Sequence, residues 1–407
     1  MANHSLARNI GLDAGSAIVE VTLGVNAIKY PLTGIGRYAY ELAKGLKFSS
    51  DVEKLKFLKG GAIQTNIELD NVTPHLAKWA KFNHRVQNLL GSLAPVLQAY
   101  QLRLEWRQEK ALKPYRHTIF HGPNNYLPKH DGPCVSTFHD LSIFKYPAFH
   151  PKARRAYMAK ELSKALKRAD VIITDSSYTR DEVIEYSGFD PSRVLAIPLA
   201  ASEEFQTPTQ SDCQETLHRF QLSYQGYVLY AGTVEPRKNL MALLDAYESL
   251  PANLRQNTPL VVAGYKGWRS DDVHERLEKA HASGWAKYLG FVSASDLPIL
   301  FSAAKTFVYP SVYEGFGLPV LEALASGVPV VCSNATSLPE VAGDAALMCE
   351  HADVYTLAQL IIKSLEDQEW RQTAIRQGLQ QAAIFSWHKT VDKTVDAYKL
   401  SAVFKGV

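Results

Sequence analysis

The stretch YPSVYEGFGLPVLEALASGVPVVCSN, Tyr309 to Asn334, decides the fold of this chain. The apolar run that leads into it predicts a strand that ends at Pro310. A loop with two glycines follows, and a helix is predicted to begin near Leu318. The GVP turn at Gly327 then leads into a further predicted strand. A strand, a loop, a helix and a second strand in this order are typical of a parallel sheet covered by helices.

Two carboxylates lie within this stretch. Glu314 is in the predicted loop, and Glu322 is eight positions later on the predicted helix. A glycine-containing loop that leads into a helix presents unpaired backbone N–H groups, which suit phosphate oxygens. Carboxylates accept hydrogen bonds from vicinal hydroxyls, such as those of a sugar or a ribose. These groups predict a site for a nucleoside-diphosphate sugar. Spacing alone leaves open that Glu322 is a solvated helix residue and that the glycines only form a tight turn.

Short apolar runs alternate with amphipathic helical stretches along most of the chain. Strands are predicted to begin near residues 18, 55, 117, 133, 170, 192, 227, 259, 287, 306 and 328. A polar segment, residues 202–226, divides them into two series, and 407 residues are enough for two domains. The pattern predicts an α/β protein with two Rossmann-like, doubly wound domains that face a central cleft. Their predicted bounds are residues 1–205 and 206–385, followed by a closing helix at residues 386–407.

The segment TGIGRYAYEL, from Thr33 to Leu42, fits the G-x-G-x-x-A form of a dinucleotide fingerprint through Gly34 and Gly36. That fingerprint needs its first glycine almost directly at the end of a strand and an acid at the end of the next strand. Here KYPLT separates the strand from the first glycine, and the next predicted strand ends in Lys59. The glycines serve equally to let a sugar donor or acceptor approach the backbone. A nicotinamide or flavin oxidoreductase remains an alternative.

Cations and a histidine follow other predicted strands. Arg237 and Lys238 lie in a loop at a helix start, where cations oppose the helix dipole, so a compensating anion such as a diphosphate is expected. The alternative is an exposed basic pair. His139 closes a strand at the cleft end, which favours a catalytic role, whereas His121, at the end of the previous strand, is interpreted as structural.

The net charge of +3 is unevenly distributed. Residues 1–200 hold 27 Lys and Arg against 18 Asp and Glu, and the remainder holds 17 against 23. The basic excess is densest at Lys78–His117 and Pro151–Asp170. The first of these stretches is compatible with a peripheral face on an anionic membrane, and its apolar positions are equally compatible with packing on the domain core. No nucleic acid is expected as a partner.

Several kinds of chemistry have no sequence signal. The chain contains no D-x-D motif, no Walker loop and no convincing metal-ligand spacing, so no metal or other cofactor is expected. The four cysteines are scattered, which predicts reduced thiols in a cytoplasmic protein. The first residues lack the apolar core of a secretory signal, and no apolar run of about 18 residues predicts a spanning helix.

The motifs TGIGRYAYEL, HDLSIFKYPAFHP, AGTVEPRKNL and SLPEVAGDAAL, with the stretch quoted first and the closing FSW, resemble those of the family 4 retaining glycosyltransferases. The resemblance covers nearly the whole chain and is particularly to the bacterial mannosyltransferase-like branch, which builds O-antigen and capsule polysaccharides. The E-x7-E spacing of Glu314 and Glu322 is among the family's most specific marks. The resemblance implies the GT-B fold, in which two Rossmann-like domains face a cleft.

The resemblance also implies roles in the donor site. Glu314 would hold hydroxyls of the transferred sugar, and the backbone N–H groups of Phe316, Gly317 and Leu318 would help to seat sugar and phosphate. Glu322 would bind the ribose diol.

One departure from the family pattern is Thr233, which stands where many members carry an arginine, so other cations must neutralise more of the diphosphate charge. By the same resemblance, Arg237 and Lys238 would neutralise the diphosphate leaving group. His139 would contact the donor sugar near the reacting carbon. Gly34 and Gly36 would line the acceptor side and approach the diphosphate. Glu314, His139 and Lys238 are the predicted catalytic residues.

The implied reaction is a metal-independent, retaining transfer of a hexose to a saccharide or lipid-linked saccharide. The implied donor is GDP-mannose or a related GDP-deoxyhexose, with UDP-sugars as the alternative. The enzyme would be cytoplasmic, with a peripheral position at the inner face of the plasma membrane if the basic stretch contacts lipid. A non-catalytic protein that binds sugar nucleotides is the alternative outside enzymes, and the nucleotide-cofactor oxidoreductase is the alternative enzyme class.

Overall fold

The computed structural model describes residues 18–29, 32–66 and 94–406. The first lobe is built on a seven-stranded sheet of order β3-β2-β1-β4-β5-β6-β7. All neighbouring strands in it are parallel except β2 and β3, which are antiparallel. The strands are β1 Val19–Gly24, β2 Val52–Lys59, β3 Ala62–Gln64, β4 Ile119–Gly122, β5 Cys134–Phe138, β6 Val171–Thr174 and β7 Val194–Ala196.

The first strand is shorter than the predicted run of Ile18–Ile28. It ends at Gly24 because the chain turns there: the N–H of Ile28 donates to the carbonyl of Val25. The helices of this lobe are α1 Gly34–Leu46, α2 Ala94–Leu112, α3 Ser142–Lys145, α4 Lys152–Arg168 and α5 Ser177–Ser187. Of the basic stretch Lys78–His117, residues 78–93 lie outside the described residues.

The second lobe is built on a six-stranded parallel sheet of order β10-β9-β8-β11-β12-β13. The strands are β8 Val228–Ala231, β9 Leu260–Ala263, β10 Ala286–Gly290, β11 Thr306–Tyr309, β12 Val330–Ser333 and β13 Ala346–Cys349. The helices that follow α5 are α6 Gln210–Arg219, α7 Leu240–Glu248, α8 Ala252–Asn257, α9 Asp271–Ala282, α10 Leu297–Ser302, α11 Leu318–Ala325, α12 Leu338–Ala342, α13 Val354–Glu366, α14 Gln368–Ala382 and α15 Trp387–Lys405.

The strand order places the predicted site. The order reverses between β8 and β11, and ligands of such sheets bind outside the carboxyl ends of the strands at a reversal. The loop with Arg237 and Lys238 follows β8, and the loop with Glu314 follows β11. In the first sheet the order reverses between β1 and β4, and Gly34 follows β1. The residues predicted to bind the donor therefore converge at one edge.

The last helix, α15, returns to the first lobe. The Tyr398 hydroxyl is 2.8 Å from Nδ1 of His121, and Thr390 donates to the carbonyl of Pro198 at 2.7 Å. His121 is buried and also bonds the Thr137 hydroxyl at 2.8 Å through Nε2, so both of its ring nitrogens hold structure together. Across the described residues, no helix is long and apolar enough to cross a membrane. The domain bounds at 205 and 385 stay predictions.

Candidate active site

Glu314 lies at the centre of a buried ion-pair cluster in the second lobe and is only 6% exposed. Its Oε1 accepts hydrogen bonds from Nζ of Lys238 and Oγ of Ser311, both at 2.6 Å. Its Oε2 accepts a hydrogen bond from Arg237 at 3.0 Å. The strand β11 ends at Tyr309, and Glu314 lies in the loop that follows it. Three donors on one carboxylate fix its orientation.

The charges of this cluster shift its pKa values. Burial would raise the pKa of Glu314, but the charges of Arg237 and Lys238 and the hydrogen bonds outweigh burial and lower it to about 2. Burial and the charge of Arg237 lower the pKa of Lys238. Lys238 also donates to the Tyr309 hydroxyl at 2.5 Å. These two partners leave one N–H of its ammonium group for a ligand.

Arg237 is more fully engaged than Lys238. Its NH1 donates to the carbonyl of Tyr313 at 2.6 Å, and its Nε and NH2 donate to Oε1 of Glu235 at 3.2 and 2.9 Å. Two cations therefore face the carboxylates of Glu235 and Glu314, and the negative charge of Asp140 also acts on Arg237. An incoming diphosphate must compete with these carboxylates for Arg237 or use other donors.

Backbone donors lie beside the cluster, at the start of α11. Gly317 has φ of +109° and precedes the helix, and a Cβ there would lie 2.5 Å from Leu338, so glycine is required. Among the described residues, the N–H groups of Gly317 and Leu318 have no acceptor. Phe316 contributes only its backbone, since its buried ring packs on Phe385 at 5.8 Å. Two N–H groups at a helix start suit a phosphate or a sugar oxygen.

Glu322 lies on α11 at the junction of the lobes. It is buried, and its carboxylate makes no hydrogen bond or ion pair with the part of the chain that the structure describes. Burial raises the pKa of Glu322 to about 8, against the charge of Arg37 on α1, while Glu204 raises it further. A buried carboxylate with no partner suits a ligand that donates hydrogen bonds.

His139 has both ring nitrogens bound within the first lobe. Nε2 donates to the carbonyl of Pro123 at 2.8 Å, and Nδ1 is 2.7 Å from Oδ2 of Asp175. Because a carbonyl can only accept, Nε2 carries a proton, and the carboxylate favours a second one on Nδ1. Burial lowers the pKa of His139, but the charge of Asp175 and these hydrogen bonds outweigh it, so the pKa is raised. Its predicted contact with the donor sugar stays a prediction.

Gly34 and Gly36 lie in the first turn of α1, on the other side of the cleft. Thr33 caps this helix through a hydrogen bond from the N–H of Gly36 at 3.3 Å. A Cβ at Gly36 would lie 2.9 Å from the carbonyl of Ala27, whereas one at Gly34 would meet nothing within 4 Å. Gly36 is therefore required for packing, and Gly34 has space beside it.

The two lobes meet at Gly315, directly after Glu314. A Cβ at Gly315 would lie 1.7 Å from the carbonyl oxygen of His139. The carbonyl of Gly315 accepts hydrogen bonds from Ser176 at 2.7 Å and from Thr179 at 3.0 Å, both in the first lobe. The cleft between the two sets of strand ends is thus closed at this loop.

Sequence reasoning missed several partners of the predicted residues. Strand-end position could have indicated Asp175, which follows β6 as His139 follows β5. No sequence pattern indicates the others, which become neighbours only through the fold. They are Tyr309, Ser311, Glu235 and Thr336, whose hydroxyl accepts a hydrogen bond from the N–H of Glu314 at 2.9 Å. Thr233 is half-buried and makes no side-chain hydrogen bond with the described residues. No group of three or more His, Cys, Asp or Glu in residues 18–29, 32–66 and 94–406 could hold a metal ion.

Comparison with known proteins gives the class to which this fold and site belong. Residues 65–204 match the family described as Glycosyltransferase Family 4, and residues 215–381 match the one described as Glycosyl transferases group 1. The O-antigen chain mannosyltransferase B of Escherichia coli is 44% identical over 384 residues, covering 94% of this chain and 100% of that protein. The chain belongs to glycosyltransferase family 4 and is a transferase, which confirms the predicted family and enzyme class and disfavours the oxidoreductase.

Other similar proteins agree with this assignment. The serotype-specific mannosyltransferase WbdA of Escherichia coli is 36% identical over 254 residues, covering 61% of this chain and 31% of that protein. The structure of Anabaena Alr3699/HepE in complex with UDP-glucose has a TM-score of 0.68 and 16% identity, covering 93% of this chain and 98% of that one. The structure of WaaG, a glycosyltransferase involved in lipopolysaccharide biosynthesis, has a TM-score of 0.64 and 16% identity, covering 92% of this chain and 98% of that one. These likenesses confirm the predicted GT-B fold.

Proposed function

We propose that the protein transfers a mannosyl group from GDP-mannose to a saccharide or lipid-linked saccharide in O-antigen synthesis. The transfer retains the anomeric configuration and needs no metal ion. The observation that carries this proposal is the buried cluster of Glu314, Arg237 and Lys238 beside the N–H groups of Gly317 and Leu318. The full-length likeness to an O-antigen chain mannosyltransferase supports mannose as the sugar.

The cluster offers what a sugar diphosphate needs. Glu314 is ionised and accepts hydrogen bonds from sugar hydroxyls, while the remaining N–H of Lys238 and the two backbone N–H groups point to phosphate oxygens. Since carboxylates already engage Arg237 before binding, the diphosphate charge falls chiefly on Lys238 and the start of α11. Glu322 accepts hydrogen bonds from the ribose diol. These cations and dipoles take the part that a divalent ion plays in other sugar-nucleotide enzymes.

The transfer is a displacement at C1 of the mannosyl group. The bond from C1 to the diphosphate oxygen breaks, and a bond from C1 to the acceptor oxygen forms on the same face. The acceptor hydroxyl proton passes to the departing phosphate oxygen, so GDP leaves and every side chain keeps its protonation state. Lys238 stabilises the charge that grows on the leaving group. Both ring nitrogens of His139 are hydrogen-bonded, so this side chain fixes the loop that it belongs to. The backbone carbonyl of His139 in that loop faces Gly315.

A membrane-facing surface is consistent with a lipid-linked acceptor. The helix α2 exposes Leu102 and Trp106, at 62% and 60%, one turn apart. Arg103, Arg107 and Lys110 are exposed on the same helix, and Lys110 lies 5.3 Å from the Trp106 ring. Apolar side chains flanked by cations are typical of helices that lie on an anionic membrane surface. The protein would then be cytoplasmic and peripheral to the membrane.

Donor recognition is tested by thermal unfolding with GDP, UDP, ADP, CDP or NAD, each with EDTA. A ligand at about 100 times its Kd adds about 2.7 kcal/mol to the free energy of unfolding. The proposal predicts stabilisation by GDP in EDTA. Stabilisation by UDP alone would favour a UDP-sugar donor. Stabilisation by NAD alone would favour a nucleotide-cofactor oxidoreductase instead of a glycosyltransferase. A requirement for a divalent ion would contradict the metal-independent site.

A further inference from the structure

His150 is a buried histidine whose ring makes no hydrogen bond within the described part of the chain. It ends the short turn Pro147–Phe149 before α4, and its side chain is 3% exposed. Neither Nδ1 nor Nε2 has a hydrogen-bond partner among the residues that the structure describes. By contrast, His121 and His139 have both ring nitrogens bound. An unsatisfied buried polar atom destabilises the folded protein, so His150 needs an explanation.

The position of His150 connects it to the proposed active site. Its ring centroid lies 5.9 Å from that of Trp268, which follows β9 in the second lobe. Nε1 of Trp268 donates to the carbonyl of Phe149 at 2.5 Å, so this contact joins the two lobes. The charges of Asp140 and Arg237 also act on the imidazole, and Arg237 belongs to the cluster around Glu314. His150 therefore lies where the lobes meet, near the reacting groups.

The imidazole of His150 suits a ligand that carries hydroxyl groups. Burial and the charge of Arg154 lower the pKa of His150, so the ring is neutral and has one donor and one acceptor nitrogen. A phosphate oxygen only accepts hydrogen bonds, whereas a hydroxyl both donates and accepts. An aromatic ring, Trp268, lies beside His150, and Tyr146 and Phe149, whose rings stack on each other at 5.5 Å, precede it in the chain. Aromatic side chains with a few placed polar groups are typical of small-ligand sites.

We propose that His150 is a further substrate-contacting residue, whose ring holds a hydroxyl of the saccharide acceptor where the two lobes meet. This inference rests on the proposed transfer of mannose. Because Trp268 covers His150 in the closed arrangement, the acceptor binds before that loop docks on Phe149. The contact determines acceptor affinity and leaves the donor site unchanged.

The test compares His150→Phe and His150→Gln with the wild-type enzyme, using GDP-mannose and a synthetic alkyl mannoside as acceptor. Phenylalanine keeps the volume and removes both nitrogens, while glutamine keeps a donor and an acceptor. We expect His150→Phe to lower kcat/KM for the acceptor at least tenfold, largely through KM. Hydrolysis of GDP-mannose without acceptor should stay within twofold of wild type, and His150→Gln should recover part of the loss.

The matched control is His274→Phe, because Nε2 of His274 is also buried and unpartnered within the described residues but lies on α9, against Tyr288. This variant should keep the acceptor kcat/KM of the wild type.

An unchanged acceptor kcat/KM in His150→Phe would overturn this inference but not the proposed function. An equal fall in donor hydrolysis and acceptor transfer would also overturn it, since that indicates a structural role. If the wild-type enzyme transferred no mannose from GDP-mannose to the acceptor, the proposed function would fail as well. Should His150→Phe not fold, His150→Leu, which also removes both nitrogens, decides by the same ratio of acceptor transfer to donor hydrolysis.

Discussion

The hydroxyl of Tyr313, in the second lobe, donates a hydrogen bond to the buried carboxylate of Glu182, in the first lobe. The same hydroxyl accepts a hydrogen bond from the N–H of Leu141 at 3.1 Å. Tyr313 directly precedes Glu314, and its carbonyl accepts from Arg237 at 2.6 Å. Tyr313 therefore links closure of the lobes, through its hydroxyl, to the placement of the Glu314 carboxylate, through its backbone.

Removing this hydroxyl should weaken closure without harming either lobe. In Tyr313→Phe, closure would bury the Glu182 carboxylate without the hydrogen bond from Tyr313, although Lys145 stays 3.8 Å away, and a hydrogen bond to a charged group contributes about 1.5–3 kcal/mol. We expect kcat/KM to fall roughly tenfold to a hundredfold, while GDP binding to the second lobe changes little. Steady-state kinetics measure the fall in kcat/KM, and small-angle scattering with GDP-mannose measures the closure of the lobes. Glu182→Gln, which still accepts a hydrogen bond, should be milder; wild-type turnover in Tyr313→Phe would refute the link.

Gly315→Ala should block closure by a steric route. The added Cβ would lie 1.7 Å from the carbonyl oxygen of His139, which is backbone and cannot move aside alone. We expect transfer to be lost, while GDP still raises the melting temperature because the donor residues of the second lobe are intact. Substantial transfer by this variant would show that the contact between Gly315 and His139 is not part of the reacting state.

Glu322 predicts a pH dependence of donor binding. Its pKa is raised to about 8, so the carboxyl is mostly protonated at pH 7, whereas ribose hydroxyls donate to the ionised form. Donor binding should therefore release a proton, and affinity for GDP-mannose should rise as the pH increases towards 8. Titration calorimetry in two buffers of different ionisation enthalpy measures the proton. Glu322→Gln should bind more weakly and release none; equal proton release in both proteins would contradict the assigned role.

The proposed membrane surface predicts binding to anionic vesicles. Wild-type protein should sediment with phosphatidylglycerol vesicles at low salt, and less at high salt because charge screening weakens the contact. Leu102→Ala and Trp106→Ala should each reduce sedimentation. Phe48→Ala is the matched control, since Phe48 is 79% exposed but lies after α1. No sedimentation of the wild-type protein at low salt would exclude this surface.

The sequence predicted most of the fold because buried parallel strands are short β-branched runs. VIIT and LVVA became β6 and β9, whereas β13, ALMC, has no β-branched residue and was not predicted. Strand ends also placed Glu314, Arg237, Lys238 and His139 at the cleft. Pairing could not be predicted: Asp175 and His139 are 36 residues apart and meet because β5 and β6 are neighbours. Nor does any sequence pattern show that the His150 ring has no hydrogen-bond partner among the described residues.

In the proposed reaction, the Glu314 cluster transfers mannose from GDP-mannose. The most direct test is the rate and product of transfer to an alkyl mannoside in EDTA, for the wild type, Glu314→Gln and Lys238→Met. The account predicts an α-linked product from the wild type, near-complete loss in Glu314→Gln, and a loss of about 10²–10³ in kcat for Lys238→Met, as for an oxyanion donor. A β-linked product would contradict retention. Wild-type turnover in both variants would show that the reaction occurs elsewhere.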